Sequence, residues 1–376
     1  MAAPAAAAAA VTAAGKAGAK AEPGGGRVVT REAAAAAVLA EAVYKLGKAP
    51  AGELRAAVAA LQRQCPCRPP LALRLLLPEA SPAAAATSIA GASKNQYLVA
   101  EDERCLFVCF RGTQDLADLW ADGRAVMAAV WPEGGLEAAP PGDRLHKSLA
   151  HAGFLGRARS APLGFLLWEA RRRGKRLVLC GHSLGGAAAA LAAVLLLQRW
   201  SPGGGGEGTP SMPLPISCVT FCAPPIGNEH LNALIAERFA GAFLHFLVPE
   251  DGVPGYLLVA GREPGDGPRG KEGKEAGPKA GLLRRGGSKL TKWVGAYRLP
   301  HYSTFLVDAE GGLERFEGGA LAGVRLADLA RDVLSRGRQL HFTAHRVFTV
   351  RERLNLALAA EARPRQGVCG WLRSKL

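Results

Sequence analysis

Short apolar runs of strand length alternate with longer alanine- and leucine-rich stretches over most of this chain. Runs of that kind belong to strands buried on both faces and covered by helices. Strands are expected at 97–99, 105–110, 177–180, 216–221, 243–248, 302–307 and 313–316. Helices are expected at 31–46, opened by Thr30 as N-cap, at 53–64, as one long stretch over about 145–172, and at 187–197, 229–239, 326–335 and 345–360. Repeated strand, helix, strand order predicts an α/β fold with a mostly parallel central sheet flanked by helices. No internal repeat is visible.

Between the strand at 177–180 and the helix at 187–197 stands Gly181-His182-Ser183-Leu184-Gly185. A G-x-S-x-G pentapeptide on a strand, tight turn and helix is the nucleophile elbow of an α/β-hydrolase, which lifts the serine hydroxyl above the C-terminal edge of the sheet. The glycines have a mechanical reason: the serine backbone is strained, and a Cβ at Gly181 or Gly185 would collide with a neighbouring strand or helix. The same break divides the apolar span 177–197, which therefore reads as strand plus helix and not as a membrane crossing. A serine hydroxyl is a weak nucleophile, so it needs a histidine base, an acid to orient that base, and donors for the oxyanion. In this fold the partners follow the serine in the order acid, then histidine. Asp251 lies just beyond the strand 243–248, on the edge where a triad acid belongs, with Glu250 as the competing carboxylate.

With 376 residues and 49% apolar content the chain can bury a sizeable core in one large domain. A net charge of +15 permits contact with anionic lipid or nucleic acid. The basic residues are not interleaved with aromatics and no finger, RRM or KH pattern is present, so nucleic acid is not expected. Most of the eight cysteines fall in apolar runs and are expected to be buried and reduced. Cys65-Pro66-Cys67 is too tight for an ordinary disulfide and is also expected to stay reduced. No C-x-x-C pair points to zinc. Gly265, Gly270 and Lys271 have phosphate-loop spacing, but Glu272 stands where Ser or Thr is needed, and neither a strand nor a helix flanks them. Neither a metal nor an organic cofactor is expected.

Phe110-Arg111-Gly112-Thr113, His151-Ala152-Gly153-Phe154, Gly181-His182-Ser183-Leu184-Gly185-Gly186, Thr220-Phe221 with Pro224-Pro225-Ile226-Gly227-Asn228, and Asp251-Gly252-Val253-Pro254 follow one another in order. Together they resemble the class 3 lipases, a family of fungal triacylglycerol lipases and lipase-like plant immunity proteins. The resemblance covers roughly 88–354. It implies Ser183 as nucleophile, Asp251 as triad acid, and Thr113 with the backbone N–H of Leu184 as the oxyanion hole. It also puts Leu116, Leu119 and Trp120 at the position of an amphipathic lid, where an opened apolar face would meet a lipid surface. For the base it offers His345, whose spacing to Val350 follows a family helix with an aromatic at the second position. His341, one turn earlier, and His301 stay open as alternatives. His151 and His182 match positions with structural roles. Cys222 stands where the family usually has glycine, and Gly252 where proline is common.

The expected organisation is a low-complexity disordered tail at 1–28, an α/β-hydrolase domain at 29–362 with a disordered basic insertion at 261–292, and a C-terminal tail at 363–376. A second low-complexity insertion, 201–215, is expected as a surface loop. Its last residues, Ser374-Lys375-Leu376, match a peroxisomal import address, so the peroxisomal import receptor is an expected partner and the peroxisome the expected location, with the cytoplasm as the alternative. The function expected is a serine hydrolase cleaving the carboxylic ester of a lipid, an acylglycerol or phospholipid, through an acyl-enzyme. Peripheral contact with an anionic membrane or lipid surface goes with it. The alternative is a catalytically silent lipase-like interaction scaffold.

Overall fold

The apolar runs pair into one sheet because their side chains alternate between two faces, each with its own cover. The computed structural model describes residues 29–46, 48–76, 97–113, 127–131, 144–200, 215–251, 303–316 and 345–362. Its strands are β1 (Arg74–Leu75), β2 (Tyr97–Glu101), β3 (Cys105–Phe110), β4 (Met127–Ala129), β5 (Leu149–His151), β6 (Arg176–His182), β7 (Ile216–Phe221), β8 (Phe243–Leu247), β9 (Thr304–Val307) and β10 (Leu313–Arg315). Among the described residues the main sheet runs β1-β2-β3-β6-β7-β8-β9-β10, and β4-β5 form a separate pair. From β3 to β9 neighbouring strands are parallel, while β1, β2 and β10 close the edges antiparallel. This is the α/β-hydrolase architecture, with a mostly parallel central sheet between helices.

Period-two alternation decides what each face meets. Cys105, Phe107 and Cys109 of β3, with Val178 and Cys180 of β6, pack under the helix Arg31–Ala42, against which the helix Val347–Ala362 in turn lies. Leu106, Val108 and Phe110, with Leu177 and Leu179, face the helices Ala152–Arg159, Leu163–Arg172 and Leu184–Trp200. The helix Arg31–Ala42 starts at Thr30, whose Oγ1 accepts the Ala33 N–H at 3.1 Å. It is buried nearly all round, and its run of alanines is what allows sheet and neighbouring helices to approach it together. A single turn of 3₁₀ helix, Val43–Lys45, carries the chain on and delivers Tyr44.

The stretch expected as one helix over 145–172 is divided. Residues 149–151 form β5, His151 caps the next helix by accepting the N–H groups of Gly153 and Phe154 at 3.1 and 3.4 Å, and Pro162 opens a further one. Proline lacks the N–H a continuous helix would use, and β5 takes its backbone bonds from β4. His345 was expected to begin the last helix; it lies in the turn before it, which starts at Val347. No helix among the described residues is long and apolar enough to cross a membrane. The tail 1–28, Leu116, Leu119, Trp120, the insertion 261–292, His301, the helix at 326–335, His341, Ser374, Lys375 and Leu376 all lie outside the described residues.

At the far edge of the sheet, buried Glu101 at the end of β2 gathers Arg74, Arg173 and Lys175, the last two at 2.9 and 2.8 Å. Burial alone would raise its pKa, but the three hydrogen bonds outweigh burial and hold the carboxyl at about 2, against an ordinary 4.5. A depressed carboxylate contributes stability that is complete above its unfolded value and is lost as pH falls through the folded one. Stability is therefore expected to fall between pH 4.5 and 2, and Glu101→Gln should flatten that limb. Urea midpoints measured across this range check it.

Candidate active site

Ser183 has φ 56°, a left-handed conformation that costs a non-glycine residue energy and persists only where surrounding bonds hold it. Its N–H donates to the Phe221 carbonyl at 2.9 Å, and its carbonyl accepts the Ala187 N–H at 3.1 Å. The residue is thus tied to the end of β7 on one side and to the first turn of the helix Leu184–Trp200 on the other. A Cβ built on Gly181 would stand 2.5 Å from the carbonyl carbon of Gly185. One on Gly185 would enter the Phe110 carbonyl and stand 2.8 Å from the Gly112 nitrogen. The two glycines let the helix start lie directly against the end of β3. This contact holds Gly112, the residue before Thr113, against the elbow, and Leu184 heads the helix with its N–H among the donors no helical carbonyl can take.

The side chains assembled on this turn come from three distant parts of the chain. His345 Nε2 lies 2.9 Å from Ser183 Oγ, and its Nδ1 lies 2.7 Å from Asp251 Oδ2. With a carboxylate at Nδ1, the imidazole donates there and offers Nε2 as acceptor for the serine hydroxyl proton. Ser183, Asp251 and His345 are each 5% exposed or less, so this line of hydrogen bonds is shielded from bulk water. Glu250, the rival carboxylate, points outward and pairs with Arg353 at 2.8 Å. Asp251 lies four residues beyond β8 and turns back to donate its N–H to the Val248 carbonyl at 3.0 Å.

Sequence reasoning missed Tyr44. Its hydroxyl sits 2.9 Å from His182 Nδ1, and its ring packs edge-on against that imidazole at 5.9 Å. The His182 ring in turn lies 4.8 Å from the His345 ring. Burial, then the neighbouring His345, keeps His182 well below the usual histidine range. It stays neutral and does not compete with His345 for the Asp251 charge. Burial raises the Tyr44 hydroxyl, which remains a donor. Nothing in the local sequence around Tyr44 marks this contact, since the two residues are 138 positions apart. Tyr44→Phe would leave the buried His182 Nδ1 without its donor, a loss of about 1–3 kcal/mol. Urea unfolding of the variant is expected to show it.

Cys222 also adopts a left-handed conformation, φ 47°, directly after β7. Its thiol hydrogen-bonds Asp251; burial first, and then that carboxylate, push it well above the ordinary thiol range. His182, Cys222 and His345 bring ligand atoms within 4.8 Å of one another. Both ring nitrogens of His345 are already engaged, so a cation held there would have to take His345 out of the hydrogen-bonded line.

Residues 107–260 match the family model for lipase (class 3). This stretch of the chain is similar to the class 3 lipases. Among curated relatives, lipase-like PAD4 of Arabidopsis thaliana is 41% identical over 83 residues, 22% of this chain and 14% of that protein. Protein EDS1 of the same plant is 37% identical over 89 residues, 23% of this chain and 14% of that protein. The lipase-like core thus spans a small part of these relatives. Among solved structures, Rhizomucor miehei triacylglyceride lipase aligns with 24% identity and a TM-score of 0.32, covering 42% of this chain and 54% of that one.

Proposed function

We propose that this lipase-like core is a serine hydrolase that cleaves the carboxylic ester of a lipid, an acylglycerol or a phospholipid. The observation that carries the reading is the hydrogen-bonded line from Ser183 through His345 to Asp251. The class 3 lipase match supports a lipid ester as the substrate class. Ser183 Oγ attacks the ester carbonyl while His345 Nε2 takes its proton, and Asp251 holds the imidazole and stabilises the imidazolium that forms. Thr113 and the Leu184 N–H receive the oxyanion, an interaction whose single donors are typically worth about 3–4 kcal/mol. His345 returns the proton to the leaving alcohol. Water, deprotonated by the same imidazole, then releases the acyl group as a fatty acid and restores Ser183.

Fatty-acid release from triacylglycerol, monoacylglycerol, phospholipid and a short-chain ester, with Ser183→Ala as the blank, tests the proposal. Release above the blank from a long-chain lipid ester is expected. Release from the short-chain ester alone would limit the enzyme to small esters. No release at all, with Ser183 also unlabelled by a fluorophosphonate, would leave a lipase-shaped scaffold.

A further inference from the structure

Seven of the eight cysteines lie among the described residues, all reduced and buried. Most are chemically quiet. Burial pushes the Cys105 thiol up to about 12, and Cys109, Cys218 and Cys222 well above the ordinary range, so their thiolates are scarce. Cys65 differs. Its sulfur lies 3.1 Å from that of Cys67, within hydrogen-bond distance. The backbone at Cys65 is extended, φ −77° and ψ 127°, and in an extended chain residues two apart share a side. The one-residue spacing that argued against an ordinary disulfide is therefore what brings the sulfurs together. Closing them to the length of a disulfide takes about 1 Å.

The surroundings favour a thiolate at this pair. The Cys67 hydrogen bond is the largest influence on Cys65; burial opposes it, Arg31 and Arg351 reinforce it, and the thiol is held at about 7. Arg31 is anchored by the Pro69 and Pro70 carbonyls, the latter at 2.7 Å, and Arg351 by Glu41 at 2.6 Å. Both guanidinium groups are thus fixed near the sulfurs. The pair also keeps some contact with solvent, at 9% and 8% exposure, whereas Cys105, Cys109, Cys180, Cys218 and Cys222 are at 2% or less.

We propose that Cys65 and Cys67 form a reactive dithiol, a modification site whose co-substrate is a hydroperoxide and whose product is a Cys65–Cys67 disulfide. The Cys65 thiolate attacks the terminal peroxide oxygen; an S–O bond forms, the O–O bond breaks, and the alcohol leaves with one proton. The Cys67 thiolate then attacks the Cys65 sulfenic sulfur; the S–S bond forms, the S–O bond breaks, and hydroxide leaves as water with the Cys67 proton. Two thiols are oxidised by two electrons and one peroxide is reduced. The site is independent of Ser183.

Stoichiometric hydrogen peroxide on the reduced full chain, followed by iodoacetamide, trypsin and mass spectrometry, tests this. Trypsin spares the Arg68-Pro69 bond, so one peptide, residues 64–74, holds both sulfurs and no other cysteine. It is expected to escape alkylation with the loss of two hydrogens, and to regain both alkylation sites after dithiothreitol. Without peroxide, Cys65 should alkylate about tenfold faster at neutral pH than an ordinary thiol. In Cys67→Ser the reaction should stop at a Cys65 sulfenic acid that dimedone traps. Full alkylation of the 64–74 peptide after peroxide, or dimedone trapping that bypasses Cys65 in Cys67→Ser, would overturn the proposal.

Discussion

Ser183→Ala is expected to lower kcat on the preferred lipid ester by about a millionfold and to abolish fluorophosphonate labelling, because the acyl-enzyme can no longer form. His345→Ala should do nearly as much, since the hydroxyl 2.9 Å away then has no acceptor for its proton. The two losses should not add: once either member is gone the other has nothing to act upon. A residual rate above that in water should persist from the oxyanion donors and from binding. Near-normal fold is expected in both variants. Alanine at Ser183 keeps a Cβ in the left-handed conformation, and the backbone bonds to Phe221 and Ala187 do not involve the hydroxyl. Single-turnover kinetics on a chromogenic ester, with circular dichroism as the fold control, measures this. Wild-type-like turnover in Ser183→Ala would move the chemistry elsewhere.

Asp251→Asn should cost about 10⁴-fold in kcat with little change in KM. The side chain stays the same size at a fully buried position, but its amide can donate to His345 Nδ1 where the carboxylate only accepts. Donation there places the imidazole proton on Nε2, facing Ser183 Oγ, and the base is lost. Cys222 adds to the change, because its thiol bonds the carboxylate charge that the amide lacks. Glu250→Gln is the matched control. That group is half exposed on Arg353, an ion pair worth about 0–1 kcal/mol, and its loss should leave the rate unchanged. A collapse of rate in Glu250→Gln with Asp251→Asn unharmed would reverse the assignment of the acid.

The elbow was legible because its requirements are local. A left-handed serine between a strand and a helix needs glycine at 181 and 185, and those letters stand in one pentapeptide. The parallel strands were legible because each apolar run feeds two faces at once. The carboxylate was narrowed to two neighbours by its place after a strand, and the histidine to three by resemblance. Neither choice could be closed from residue spacing. His345 is 162 positions from Ser183 and 94 from Asp251, and no local pattern reports a meeting over such distances.

Patterning along the chain settled the α/β class, the strand runs and the serine on its turn, since alternation, capping and glycine placement are nearest-neighbour matters. Three-dimensional packing settled the rest. It turned Asp251 inward and Glu250 outward, broke the long helix at β5 and Pro162, carried Tyr44 onto His182, and set two sulfurs within 3.1 Å. Each of these depends on which remote surfaces share a buried volume, a condition written in no single segment and met only when the whole sheet and its two helical covers close together.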